Sequence, residues 1–177
     1  INKVKMKKIT LKKKDAYDLC MVMGTVVREQ SEKLDFKEVL YIQKTINSMM
    51  DGMKDFSDEL EKLNKERNGY IETANKKIVE FRAKVNSTSE KEGKIDEVGQ
   101  KRIDAFVQTM LQDAQTEIEA EITPKNKVLY EVKGIEVVVF ELEDEKHKLF
   151  ISNFEKYAKE KYNDKKVMVE TYEALTV

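Results

Sequence analysis

The sequence predicts an α+β fold, predominantly α: a long antiparallel coiled-coil helical hairpin projecting from a small base with a three- or four-stranded sheet. Three observations predict it. The 177 residues include one proline and six glycines, while 38% are charged, a composition suited to long helices bathed in solvent. Apolar residues recur at steps of three and four from Val39 to Leu63 and, respaced, on to Val85. Runs rich in β-branched residues stand near both chain ends and just past Pro124.

The elements follow in order. KITL (8–11) puts Ile9 and Leu11 on one face and Lys8 and Thr10 on the other, as in a half-buried strand. Asp15 caps a helix reaching about Gln30, with Ala16, Leu19, Cys20, Met23, Val26 and Val27 as its stripe. Asp35 with Glu38 three residues on is a capping-box pattern.

From Phe36 to about Val85 runs the seam. One register position reads Val39, Ile46, Met53, Leu60, Arg67 and Ala74; the other reads Ile42, Met49, Phe56, Leu63 and Tyr70. That is roughly five heptads, enough for a coiled coil. Past Leu63 the spacing Arg67, Ile71, Ala74, Ile78, Phe81, Val85 fits better, as a stutter produces. Gly52 and Gly69 each weaken a continuous helix by up to roughly 1 kcal/mol, and either marks a place for a bend or break.

NSTSEKEGK (86–94) reads as the tip, and a second helix reaches about Ile122. It covers only the distal half of the seam, so helix 15–30 is expected to cover the proximal half. Pro124 stops the second helix. KVLYEV and IEVVVFEL then read as strands joined by Lys133-Gly134, a two-residue hairpin signal. Asp144 caps a helix to about Tyr162, and Val167, Val169 and Thr171 alternate as a last strand. The expected organisation is an α+β base from 1–34 and 123–177, with the helical hairpin at 35–122.

The catalytic inventory is thin. His147 is the one histidine and Cys20 the one cysteine, on distant segments; the expected places are a helix start in solvent for the first and a helix core for the second. An intrachain disulfide is impossible. The glycines lie singly, so no phosphate-cradling loop or nucleophile elbow can be written. Glu117, Glu119 and Glu121 are two apart and do not share a helix face. Glu141, Glu143, Asp144 and Glu145 sit where a strand turns into a helix, a position acids favour. The sequence therefore predicts no catalytic residue, cofactor or metal.

Two other features bear on function. Arg67 in the seam reads either as a register- or partner-selecting residue or as a residue exposed where the seam rotates. The N-terminal lysines Lys7, Lys8, Lys12, Lys13 and Lys14 are candidate phosphate contacts. Edge strands also carry lysine against aggregation. Acidic and basic residues nearly cancel (34 against 33), so net charge selects no partner. No window approaches the roughly 18 apolar residues of a membrane span, and the basic N-terminus lacks the apolar core of a signal peptide. The expected location is intracellular or in a virion, without a membrane partner.

MKKITLKKKDAYDLC, a long charged helical hairpin and then IEVVVFELEDEKHKLFISNFEKYAKEKY form a layout over most of the chain. It resembles that of small uncharacterised accessory proteins of tailed bacteriophages. The resemblance implies a structural or assembly role and carries no functional residue across. Together these readings predict a non-enzymatic structural or interaction protein that docks on other copies of itself or on other virion proteins. Met49, Met53, Phe56, Leu60, Leu63 and Arg67 are the candidate contacts. The alternatives are a nucleic-acid-associated protein using the lysine cluster and a small inhibitor docking one target.

Overall fold

The computed structural model describes residues 3–30, 32–88, 96–145, 147–148 and 151–152. The fold is α+β and predominantly α, in the order β1 (Met6–Lys12), α1 (Lys13–Gln30), α2 (Phe36–Gly52), α3 (Lys54–Thr88), α4 (Glu97–Glu121), α5 (Thr123–Val132) and β2 (Val137–Glu143). It divides into two compact units, Ile1–Asp58 with Tyr130–Val177, and Glu59–Leu129.

In the first unit β1 and β2 pair antiparallel, with Ile9 opposite Phe140 and Leu11 opposite Val138. Alternation fixes this register: a slip of one residue would turn out of the core either Ile9 of β1 or Val138, Phe140 and Leu142 of β2. The stripe Ala16, Leu19, Cys20, Met23 and Val26 of α1 and the residues Ile42, Met49 and Met53 fill the same core. Fully burying a leucine or methionine stabilises by about 1.5–3 kcal/mol. These side chains thus hold α1, α2 and the ribbon together.

The caps are local. Asp35 accepts a hydrogen bond from the Lys37 N–H at 3.3 Å, and the Glu38 carboxylate accepts from the Asp35 N–H at 3.1 Å, completing the expected box. Leu34 before the cap and Val39 after it both belong to the core, as in a hydrophobic staple. The start of α1 works differently. It begins at Lys13, not after a cap at Asp15, because carbonyls of the chain before β2 take its first N–H groups. Lys13 N–H donates to Glu136 O at 2.8 Å and Lys14 N–H to Gly134 O at 3.0 Å.

The expected long helix is two helices. It breaks after Gly52, where Met53 leaves the helical region (φ −127°, ψ 26°), and Gly69 lies inside α3. A Cβ on Gly52 would stand 2.6 Å from Val138 Cγ2, so β2 crosses this backbone too closely for a side chain. The close crossing accounts for the glycine, and the N–H of Met53 turns back to Met50 O at 3.2 Å to close α2.

KVLYEV is not a strand and Lys133-Gly134 is not a hairpin turn. The segment is helix α5, whose first turn holds Pro124, where no N–H is needed. Pro124 therefore ends α4 and starts the next helix. The misleading signal came from Val128 and Val132, β-branched residues four apart that share the exposed side of α5. Gly134 closes the helix end: a Cβ there would meet the Tyr130 carbonyl oxygen at 2.6 Å. The sheet therefore has two strands among the described residues. The expected helix to Tyr162 is described as helical at Asp144, Glu145, His147, Lys148, Ile151 and Ser152. The rest of it and the strand at Val167–Thr171 lie outside the described residues, as does most of the tip.

In the second unit α3 and α4 run antiparallel. Phe81 stacks on Phe106 with ring centroids 4.1 Å apart and planes at 12°, and further along Glu66 meets Lys125 of α5 at 3.5 Å. Leu60, Leu63, Ala74, Ile78 and Val85 are buried from α3, and Ile103, Ala114 and Ile118 from α4. Asp96 caps α4 by accepting from the Gly99 N–H at 2.6 Å.

Candidate functional site

The seam residues expected to dock a partner lie inside the protein. Met49, Met53, Phe56, Leu60 and Leu63 are all buried. Met49 and Met53 belong to the core that α1 closes. Phe56 makes T-shaped contacts with two rings, Tyr17 at 5.9 Å and Tyr130 at 5.3 Å. Covered by their own chain, these residues offer no surface to a second molecule. Arg67 is exposed, as seam rotation implies.

The lysines divide. Lys13 does not face a phosphate. Its side chain is 11% exposed, and its Nζ lies 3.0 Å from both Asp55 oxygens and 2.5 Å from Glu136 Oε2. The hydrogen bond to Glu136 and then that to Asp55 raise the Lys13 pKa, with burial opposing. The hydrogen bond from Lys13 likewise holds the Asp55 carboxyl below its ordinary value. The group is a fixed cation joining α1, α3 and the chain before β2, and a raised pKa makes it a poor nucleophile. Lys8 pairs with Glu141 across the ribbon at 3.6 Å. Lys12 is exposed opposite Val137, while Lys7 and Lys14 are half-buried.

Among the described residues several other titratable groups are shifted or buried. Burial pushes the Cys20 thiol up to about 12, and its Sγ approaches Ile46 O at 4.0 Å. His147 is buried rather than solvent-facing. Burial, and then repulsion from Asp15, raises Asp18. Burial is also the main cause raising Tyr130, followed by the charge of Asp18. Among the described residues no three His, Cys, Asp or Glu side chains gather to hold a metal ion, and no helix is long and apolar enough to cross a membrane.

Two surfaces stand out. One is an open groove of about 310 Å3 between α3 and α4, floored by Ala74 and Ala114 and edged by Tyr70, Lys77, Asp113 and Glu117. The other is the outer face of the β1–β2 ribbon. Val137 and Val139 are 58% and 57% exposed there, and Ile135 just before β2 is 52% exposed. Sequence reasoning missed this row, although its signal was present. In IEVVVFEL both parities are apolar, whereas a strand with one wet face alternates. As a predicted strand the run has neither face assigned.

Comparison with protein-family models, curated proteins and solved structures found no match.

Proposed function

We propose that this chain is a non-enzymatic interaction protein that works by docking through exposed helical and sheet surfaces. The observation that carries the reading is the exposure of Val137 and Val139 on one face of β2, with Ile135 also exposed just before the strand. Exposed apolar rows of this kind mark association surfaces on soluble proteins. The layout resemblance to tailed-phage accessory proteins supports placing that docking in a virion or its assembly. Heptad spacing along α3 supports coiled-coil packing in the hairpin. The alternation of Val167, Val169 and Thr171 supports the three- or four-stranded sheet expected from the sequence.

The test is capture. The immobilised chain, washed at high salt in native lysate, is expected to retain a protein in stoichiometric amount and to lose it when Val137 and Val139 become lysine. Retention only of nucleic acid released by salt, or of nothing by a chain that is also monomeric at every concentration, overturns the reading.

A further inference from the structure

The outer face of the ribbon is divided lengthwise by charge. β1 presents Met6, Lys8, Thr10 and Lys12; β2 presents Val137, Val139, Glu141 and Glu143. One strand is thus basic and the other acidic and apolar. The opposite face is closed by α1 and α2, and among the described residues the outer face is the exposed side of the ribbon.

We propose that this face binds the same face of a second copy of the chain, about a two-fold axis parallel to the strands. The proposal rests on the docking reading above and names its partner. Rotation about that axis lays each β1 across its partner's β2 at the same level. Lys8 then meets the partner's Glu141, and Thr10 meets the partner's Val139. Together with the pair already formed at 3.6 Å within each chain, Lys8 and Glu141 become a ring of four alternating charges beside the valines. The other in-plane two-fold sets β1 on β1 and β2 on β2, so the lysines face the partner's basic strand and the glutamates fall on valines, an arrangement that forms no opposite-charge pair between the copies. Two sheets so stacked sit about 10 Å apart with strands aligned to within about 30°. Seven-residue strands offer far less than the roughly 800 Å2 per partner of a standard interface, so the association is weak and concentration-dependent.

Sedimentation velocity of the full chain over a wide concentration range tests this. The expected mass rises from 20.7 kDa toward twice that value as concentration increases. Val137→Thr with Val139→Thr, which keeps shape and strand propensity, is expected to raise the dissociation constant at least about tenfold. Lys8→Glu is expected to weaken the dimer as well, and Lys8→Glu with Glu141→Lys to restore it. Circular dichroism melting of each variant checks that the fold is intact. A monomer at every concentration overturns the proposal, as does a dimer indifferent to the threonine pair or a double reversal no better than Lys8→Glu alone. A chain that stays monomeric yet retains a different protein through Val137 and Val139 overturns self-association and leaves the docking reading standing.

Discussion

Lys13 Nζ lies 3.0 Å from each carboxylate oxygen of Asp55, a two-pronged contact that ties the start of α1 to the start of α3. Lys13→Met keeps the aliphatic stem and removes the charge. Asp55 and Glu136 are 48% and 49% exposed and recover water, so the expected loss is about 1–2 kcal/mol rather than the cost of a stranded buried ion. Urea unfolding measures it, and no change in midpoint would contradict the assignment.

The same contact sets a pH window. The Lys13 pKa is raised, so its contribution is present below the ordinary value of 10.5 and lost as pH climbs through the folded value. Asp55 is lowered, so its contribution is present above 3.8 and lost as pH falls through its folded value. The stability gap between wild type and Lys13→Met is therefore expected to be level at neutral pH and to close in both strong acid and strong base. A gap that persists at both extremes would mean the packing of the stem, not its charge, is responsible.

Gly52 and Gly69 are expected to respond to alanine with opposite signs. Gly69 stands in open space inside α3, so Gly69→Ala should stabilise by up to about 1 kcal/mol. Gly52→Ala drives a methyl into Val138 and should cost about 1–3 kcal/mol. Val138→Ala should recover part of that cost in the double variant. Thermal unfolding of the four proteins settles it; equal signs at the two glycines would refute the close crossing.

Phe56→Ala is expected to lose about 3–5 kcal/mol of stability without altering the association seen at matched folded concentration. A stable variant with lost association would return Phe56 to the surface role its sequence position suggested.

Cys20 should be nearly inert in the native state. With its pKa pushed up to about 12 from 9.0, it presents roughly a thousandfold less thiolate at mild pH than an ordinary thiol. Reaction with Ellman's reagent is expected to be slow until urea is added and then complete. Rapid native labelling would show the helix core to be open.

The helical architecture was legible where period and cap agreed. The stripe of α1 and the box at Asp35 and Glu38 follow from local spacing and capping chemistry. What failed depended on contacts far along the chain. KVLYEV carries β-branched residues and sits beside a Lys-Gly pair, and nothing local reveals that its two exposed valines are one helical turn apart. The break at Gly52 depends on Val138, a residue of a strand formed much later in the chain. Lys13 looked like one basic residue among several until Asp55 and Glu136 were placed beside it. The candidate surface was hidden for a simpler reason: IEVVVFEL is apolar at both parities, so the run alone does not say which of its valines face out.

Lys13 and Glu136 are 123 residues apart, and β1 pairs with a strand just beyond Glu136. During synthesis β1 must therefore wait, edge unpaired, while the local contacts of α3 and α4 form first, because short-range contacts close sooner than distant ones. An apolar strand held open for that interval is an invitation to the wrong partner. Lysines at positions 7, 8 and 12 repel such partners until Phe140 leaves the ribosome. On that view the lysines at 7, 8 and 12 protect the chain's own birth, guarding the open strand before the fold gives their charges a second use.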